Sequence, residues 1–379
     1  MTQTRQTLAA SRLFTSTRLG GLELPNRLVM APLTRNRAGA DGVPGDLMAA
    51  YYAQRASAGL IIAEATTPNA VGQTYPHIPG IHTPAQAAGW RRVTDAVRAA
   101  GGRMFLQLQH GGRIGHPDTS GHLPLAPSEV PLPEPLHTPT GLQDPVTPRT
   151  MTEEDIRSTI ADFASTARNA VEAGFAGVEV HAANGLLLHQ FLAPNTNLRT
   201  DAWGGPVEGR IRFTVEVVRA VVEAVGPGRV GVRVSPGVEV NGVEESDTEV
   251  LYPALLAALA ELEPVYLHVE YADPDGPGFA ELRGAWPGVL IANPRTSREE
   301  LAADAGGRRG ERLLARGADL VALGRGFLAN PDLVERLRTG APLNPLRPEF
   351  LMHVHGPEGY TDYPALTDAA EATDAADAA

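Results

Sequence analysis

Short β-branched or apolar runs alternate along the chain with longer stretches in which apolar positions recur at helical spacing. The runs cover 28–30, 60–63, 104–108, 177–180, 230–234, 265–269, 289–292 and 320–323. Between them the spacing predicts helices over 46–58, 84–100, 152–173, 208–225, 247–261, 308–316 and 331–338. The third opens at Thr152, with Glu154 and Asp155 in its first turn, as an acidic helix N-terminus should. Strands and helices in strict alternation are the pattern of a parallel sheet with crossover helices.

Eight strands at this spacing, in a chain longer than the ~250 residues typical of the fold, predict an α/β protein built as one (β/α)₈ barrel with insertions. The barrel domain is expected over 1–366. Its main insertion is 111–150, after the third strand, too rich in proline for a helix and long enough to act as a lid over one barrel end. Residues 367–379 form an acidic low-complexity stretch, expected to be a disordered tail. No internal repeat beyond the βα unit is apparent.

With 379 residues, 43% hydrophobic and 20% charged, the chain can bury a large core. It has no run of about 18 apolar residues, and the opening MTQTRQTLAASRLF lacks the apolar core of a signal peptide, so a soluble, cytoplasmic protein is expected. A net charge of -12 with no basic stripe argues against nucleic acid and anionic membrane as partners. Cysteine is absent, which excludes disulfides, thiolate nucleophiles, cysteine-ligated zinc and ordinary iron–sulfur clusters. All 32 cationic side chains are arginine, so Schiff-base chemistry on lysine is excluded as well. Biased genome composition accounts for that absence as well as any function does.

In such barrels the site lies at the C-terminal strand ends, and the residues there are polar. Thr34 follows strand one after Ala31, Pro32 and Leu33; Glu64, Ala65 and Thr66 follow strand two; strand three carries Gln107, with His110 beyond. His181 and Asn184 follow strand four, Arg233 lies in strand five, and the last two loops read NPRTS (293–297) and GRGF (324–327). Each has a plainer reading: Gln107 as a satisfied core amide, Arg233 as an internal ion-pair member, His181 and Asn184 as loop anchors, Gly324 and its neighbours as a tight turn. No metal is expected, because no carboxylate completes a ligand set with His181 and His110. Their coincidence on one rim favours a ligand site. A glycine turn after strand eight beside the loop after strand seven is where barrels hold a phosphate, and Arg325 adds charge there. With an amide and an arginine deeper in the mouth and a His/Asn pair opposite, the rim suits flavin mononucleotide.

The segments LPNRLVMAPLTRNRA, IIAEATTPNAVGQTYPHIPGIHTPAQ, LQLQHGGRIGHP, VEVHAANGLLLHQFLAPNTNLRTDAWGGPVEGRIRF, DLVALGRGFLANPDL and GYTDYP resemble the Old Yellow Enzyme family over about Leu13 to Leu366. Several long motifs in order are far more specific than one glycine loop. Thr34, where another branch has cysteine, places the chain nearer the classical branch. The resemblance implies an NAD(P)H-dependent flavin ene-reductase of the NADPH-dehydrogenase type. Non-covalent FMN would be reduced by NADPH or NADH and would then reduce α,β-unsaturated carbonyl compounds or nitroalkenes. It implies Pro32, Leu33, Thr34 and Ala65 along the isoalloxazine, Gln107 on the pyrimidine edge, Arg233 by N1 and the C2 carbonyl, and Asn293, Arg295, Gly324 and Arg325 toward the phosphate. His181 and Asn184 would polarise the carbonyl or nitro oxygen of a small electron-poor alkene. The enzyme would be a monomer or homodimer.

Four positions depart from the family pattern. Leu186 stands where a tyrosine usually delivers the α-carbon proton, so that proton is expected from water or from another group such as Tyr75. Gln109 replaces a tryptophan and His353 a tyrosine, which predicts a more polar pocket, with room to be wider, and a group able to change charge near neutral pH. The NPRTS loop departs from the commoner double-glycine form. Two other readings compete: another FMN barrel of the hydroxy-acid oxidase or dihydroorotate dehydrogenase kind, whose base and arginine arrangement is not supplied, and a ligand-binding barrel with a decayed site, for which Leu186 speaks.

Overall fold

The computed structural model describes residues 8–367; all of the expected acidic tail after 367 lies outside the described residues. Eight parallel strands close a barrel: β1 (Leu28–Met30), β2 (Leu60–Thr66), β3 (Met104–Leu108), β4 (Gly177–Ala182), β5 (Val230–Val234), β6 (Tyr266–Ala272), β7 (Leu290–Pro294) and β8 (Leu320–Leu323), with β8 pairing β1. The main helices are α1 (Asp46–Ala53), α2 (Pro84–Ala99), α3 (Glu153–Glu172), α4 (Val207–Val225), α5 (Thr248–Ala260), α6 (Pro277–Ala285), α7 (Gly307–Ala315) and α8 (Leu333–Thr339), with shorter ones at Leu187–Leu192, Arg298–Asp304 and Arg325–Ala329. Capping boxes start α2 (Thr83 with Gln86) and α3 (Thr152 with Asp155).

Period-two alternation in the strands divides the apolar residues into two cores. Ile61, Leu106, Val180, Val232, Leu267, Ala292 and Val321 face the helices in the large outer core. Val29, Leu60, Ile62, Phe105, Tyr266, Ile291, Leu320 and Ala322 fill the barrel interior, and Leu19 and Leu24 of an antiparallel hairpin (Thr17–Leu19 with Leu22–Leu24) join them. Space for the two interior rings comes from glycine. A Cβ on Gly231 would lie 2.1 Å from the Tyr266 ring, and one on Gly177 would lie 2.5 Å from the Phe105 ring.

Three expectations need correction. Helix one ends at Ala53, well short of 58. The helix Pro277–Ala285 was missed because its Gly-Pro start reads as a breaker, although proline is well accommodated in a first helical turn. Strand six runs on to Ala272, past 269, through a bulge between Val269 and Ala272, with Tyr271 in left-handed backbone (φ 55°).

The 111–150 insertion is folded onto the mouth. It contains a hairpin (Leu136–Thr138 with Gly141–Gln143), a pairing of Leu125–Ala126 with Arg149–Thr150, and a single helical turn, Pro117–Ser120. Its Ile114, Leu132 and Leu136 pack on Leu186, with Tyr75 against them. Among the described residues no helix is long and apolar enough to cross a membrane.

Candidate active site at the barrel mouth

Two cavities meet at the C-terminal ends of the strands. The first, about 310 Å³, is walled by Pro32, Leu33, Thr34, Gln107 and Arg233 on one side and by Tyr75, Gln109, His181, Asn184 and Leu186 on the other. The second, about 380 Å³, lies between the loops after β7 and β8 and is walled by Asn293, Arg295, Thr296, Gly324 and Arg325. Pro32, Leu33, Arg233, Glu270 and Arg325 line both, so together they make one groove across the mouth. Ala65 is buried and lines neither cavity. His353 also lines neither: its left-handed backbone (φ 59°) turns it against His137 of the insertion hairpin, with ring centroids 4.1 Å apart, while Leu351 and Met352 supply the cavity wall.

The loop after β4 is held from several directions. Asn184 takes left-handed backbone (φ 56°), its N–H donates to Ser235 Oγ (2.9 Å), and its carbonyl accepts from Asn241 Nδ2 (2.8 Å). Gly185 follows at φ 72°, where a Cβ would lie 2.6 Å from the Val240 carbonyl, so glycine is required. Gln190 donates to the Gly185 carbonyl (2.7 Å), and Gly185 N–H donates to His189 Nδ1 (3.0 Å), with His189 Nε2 3.1 Å from Glu245. His181 is buried, and burial with the nearby Arg233 charge drives its pKa well below the usual imidazole range, so it is neutral. His181 Nδ1 and Asn184 Oδ1 are buried without hydrogen-bond partners among the described residues. Unpaired buried polar atoms on a cavity wall call for a partner that the protein does not supply, as at a ligand site.

Beneath the groove the inward side chains form a connected polar layer. Glu179 accepts from Gln107 Nε2 (2.8 Å) and Tyr266 OH (3.1 Å) and lies 2.8 Å from His268 Nδ1. Burial alone would push the Glu179 carboxyl up, but His268, Arg233 and Gln107 outweigh it and hold the pKa below the usual carboxylate range. Burial and Arg233 push His268 down, against the pull of Glu179. Arg233 reaches His268 Nε2 (2.8 Å), Glu270 Oε2 (2.8 Å) and Asn293 Oδ1 (3.2 Å). Gln107 keeps a second N–H and its carbonyl for a ligand.

Sequence reasoning missed Glu270, because strand six was ended at 269, one residue before it. It missed Glu179 and His268 as well, though the alternation that marks Gln107 and Arg233 as inward marks these two equally. The arginines that hold the C-terminal rim left no pattern to find. Arg35 donates to the carbonyls of Gly359 (2.7 Å), Leu351 (3.1 Å) and Phe350 (3.2 Å), and Arg55 to those of Leu328 (2.7 Å) and Phe327 (2.9 Å). Glu64, marked by its place after strand two but given no role, accepts from Arg35 N–H (3.2 Å) and Tyr52 OH (3.1 Å), and burial raises its pKa to about 7.

A closed parallel barrel with a two-lobed groove at the C-terminal strand ends, one lobe lying between the loops after β7 and β8, is a ligand-binding barrel with room for a planar ring and a phosphate. A family model described as the NADH:flavin oxidoreductase / NADH oxidase family matches residues 12–344. The chain is 40% identical to chanoclavine-I aldehyde reductase of Penicillium roqueforti, over 97% of this chain and 100% of that one. It is also 40% identical to 12-oxophytodienoate reductase 1 of Oryza sativa subsp. japonica, over 95% and 94%. Morphinone reductase superposes with a TM-score of 0.86 at 41% identity, covering 96% of this chain and 99% of that one. An old yellow enzyme homologue from Zymomonas mobilis gives 0.86 at 39%, covering 93% and 99%. The chain belongs to the NADH:flavin oxidoreductase / NADH oxidase family, that of Old Yellow Enzyme. It is thus an FMN flavoprotein that takes its electrons from a nicotinamide nucleotide.

Proposed function

We propose that this protein reduces activated C=C bonds of α,β-unsaturated carbonyl compounds and nitroalkenes, with His181 and Asn184 polarising the activating group. Bound FMN supplies the chemistry of a two-electron carrier between NAD(P)H and the alkene. Pro32, Leu33 and Thr34 would flank its ring, Gln107 and Arg233 the pyrimidine edge, and Asn293, Arg295, Gly324 and Arg325 the phosphate end. The observation that carries the reading is the neutral, buried His181, its Nδ1 unpartnered, beside Asn184 on one cavity wall; Asn184 Nδ2 gives one N–H to Glu270 and keeps the second for a ligand. As the β-carbon accepts hydride, charge collects on the carbonyl or nitro oxygen, and two fixed neutral donors stabilise it without the desolvation cost of a cation. The names of the relatives fit: one reduces an aldehyde, another an oxophytodienoate, and a third, from Leishmania infantum, is a probable FMN-dependent alkene reductase.

Thr34 supports placement near the classical branch. Leu186 lines the cavity where the usual tyrosine would stand and can donate nothing. Tyr75 lines the same cavity, and burial raises its pKa, so its hydroxyl stays protonated and available to the α-carbon.

The test is optical. The purified protein should be yellow, bleach with NADPH, and regain its colour anaerobically with cyclohexenone but not with pyruvate or orotate. A colourless protein that cannot be reconstituted with FMN, or a reduced one that cyclohexenone leaves bleached, overturns the proposal. In D₂O, Tyr75→Phe should slow product formation or scramble α-carbon stereochemistry; an unchanged rate and stereochemistry would eliminate Tyr75 as the donor.

A further inference from the structure

Glu270 belongs to none of the roles above, yet it stands at the neck where the two cavities join. It is the third inward residue of β6 after Tyr266 and His268, at the bulge before Tyr271. One oxygen, Oε2, accepts from Arg233 (2.8 Å) and from Asn184 Nδ2 (2.7 Å). The side chains of Arg233 and Glu270 are only 4% and 12% exposed, so water screens the pair weakly. Arg233 alone would present a cation to the pyrimidine edge of the flavin. With Glu270 bound to it and the Glu179 carboxylate beneath, the inward layer holds two carboxylates and one guanidinium, a formal charge of about -1 with His268 neutral.

We propose that Glu270 is a positioning residue that cancels Arg233 and so disfavours the extra negative charge of the reduced cofactor, keeping the flavin potential low, while its second contact fixes the Asn184 amide. The proposal rests on the FMN placement above and adds a residue that couples its two ends. A low potential favours electron delivery to the alkene over electron uptake from NAD(P)H. The Arg233–Glu270–Asn184 contact is therefore where this chain sets the balance between its two half-reactions.

The experiment is a spectroelectrochemical titration of wild-type holoenzyme, Glu270→Gln and Glu270→Asp, with FMN content measured on each. Glu270→Gln keeps the shape and removes the charge. Its two-electron midpoint should rise by about 30 mV or more, the equivalent of a tenfold stronger preference for reduced over oxidised FMN. Bleaching by NADPH should quicken and reoxidation by cyclohexenone should slow, and Glu270→Asp should restore most of the wild-type potential. An unchanged midpoint in a yellow Glu270→Gln protein overturns the proposal. So does loss of FMN from that variant, since a charge that only tunes is not needed for retention. A wild-type protein that takes up no FMN would instead overturn the cofactor placement, and the colour of the preparation separates the two failures.

Discussion

In the lower half of the barrel the inward positions are Val29, Leu60, Phe105, Tyr266, Ile291 and Leu320, whereas the next inward position is Gln107 on β3, Glu179 on β4, Arg233 on β5 and His268 on β6. Backbone, alternation and near-total burial are shared; the chemistry is opposite. The lower layer removes apolar surface from water, worth about 25 cal/mol per Å². Burying the upper layer costs free energy unless every group is paired, and the pairing of Glu179 by Gln107, Tyr266 and His268 meets that condition. The lower layer therefore contributes stability, while the upper one is retained for what it holds.

The largest effect should come from breaking the lower layer. Phe105→Ala is expected to cost ~3–5 kcal/mol of stability, read as a fall in Tm, with FMN per folded molecule unchanged in the flavin absorbance. Loss of flavin without loss of stability would show that the two layers are not separate in function.

Next in size is the rim. His181→Ala removes one neutral donor and should slow cyclohexenone-driven reoxidation by about 10²–10³-fold, or ~2.7–4 kcal/mol of barrier. Flavin content should persist, and Tm should fall far less than in Phe105→Ala. Stopped-flow absorbance and thermal melts on the same samples decide; full reoxidation rates with a collapsed Tm would make His181 a loop anchor after all.

The smallest effect concerns the C-terminal segment above the rim. Burial and the neighbouring His137 lower the His353 pKa, so the docked segment favours neutral imidazole. The undocked group titrates near ~6.5, so it binds more protons than the docked one as pH falls below that value. Docking is thus fully stable above it and weakens progressively in acid. The hydrogen-exchange protection factors of 350–358, each rate being divided into the intrinsic rate at its own pH, should fall below about pH 6.5 in wild type and fall less in His353→Phe.

Much of this was legible without coordinates. The alternation marked all eight strands, and the capping signals at Thr152 marked the start of the longest helix. The residues just past the strand ends marked the groove, and Pro32, Thr34, Gln107, His181, Asn184, Arg233 and Arg325 all line it. His353 itself lines neither lobe, standing edge-on to Tyr75 and beside His137 while Leu351 and Met352 meet the cavity, an arrangement of which sequence spacing carries no record. Glu270 was missed because a bulge extends a strand beyond the run of apolar residues that announces it.

By itself, the sequence determined the barrel, the order of its strands and the kind of chemistry offered at its mouth, since these follow from local periodicity and from residue types at fixed offsets. Only the tertiary structure decided that Glu270 meets Asn184 across 86 residues of chain and Arg233 across 37. It alone decided that Arg35 and Arg55 clamp the rim through main-chain carbonyls. A carbonyl acceptor is the same at every residue, and a contact between distant strand ends is set by barrel closure; neither leaves a mark on the local pattern.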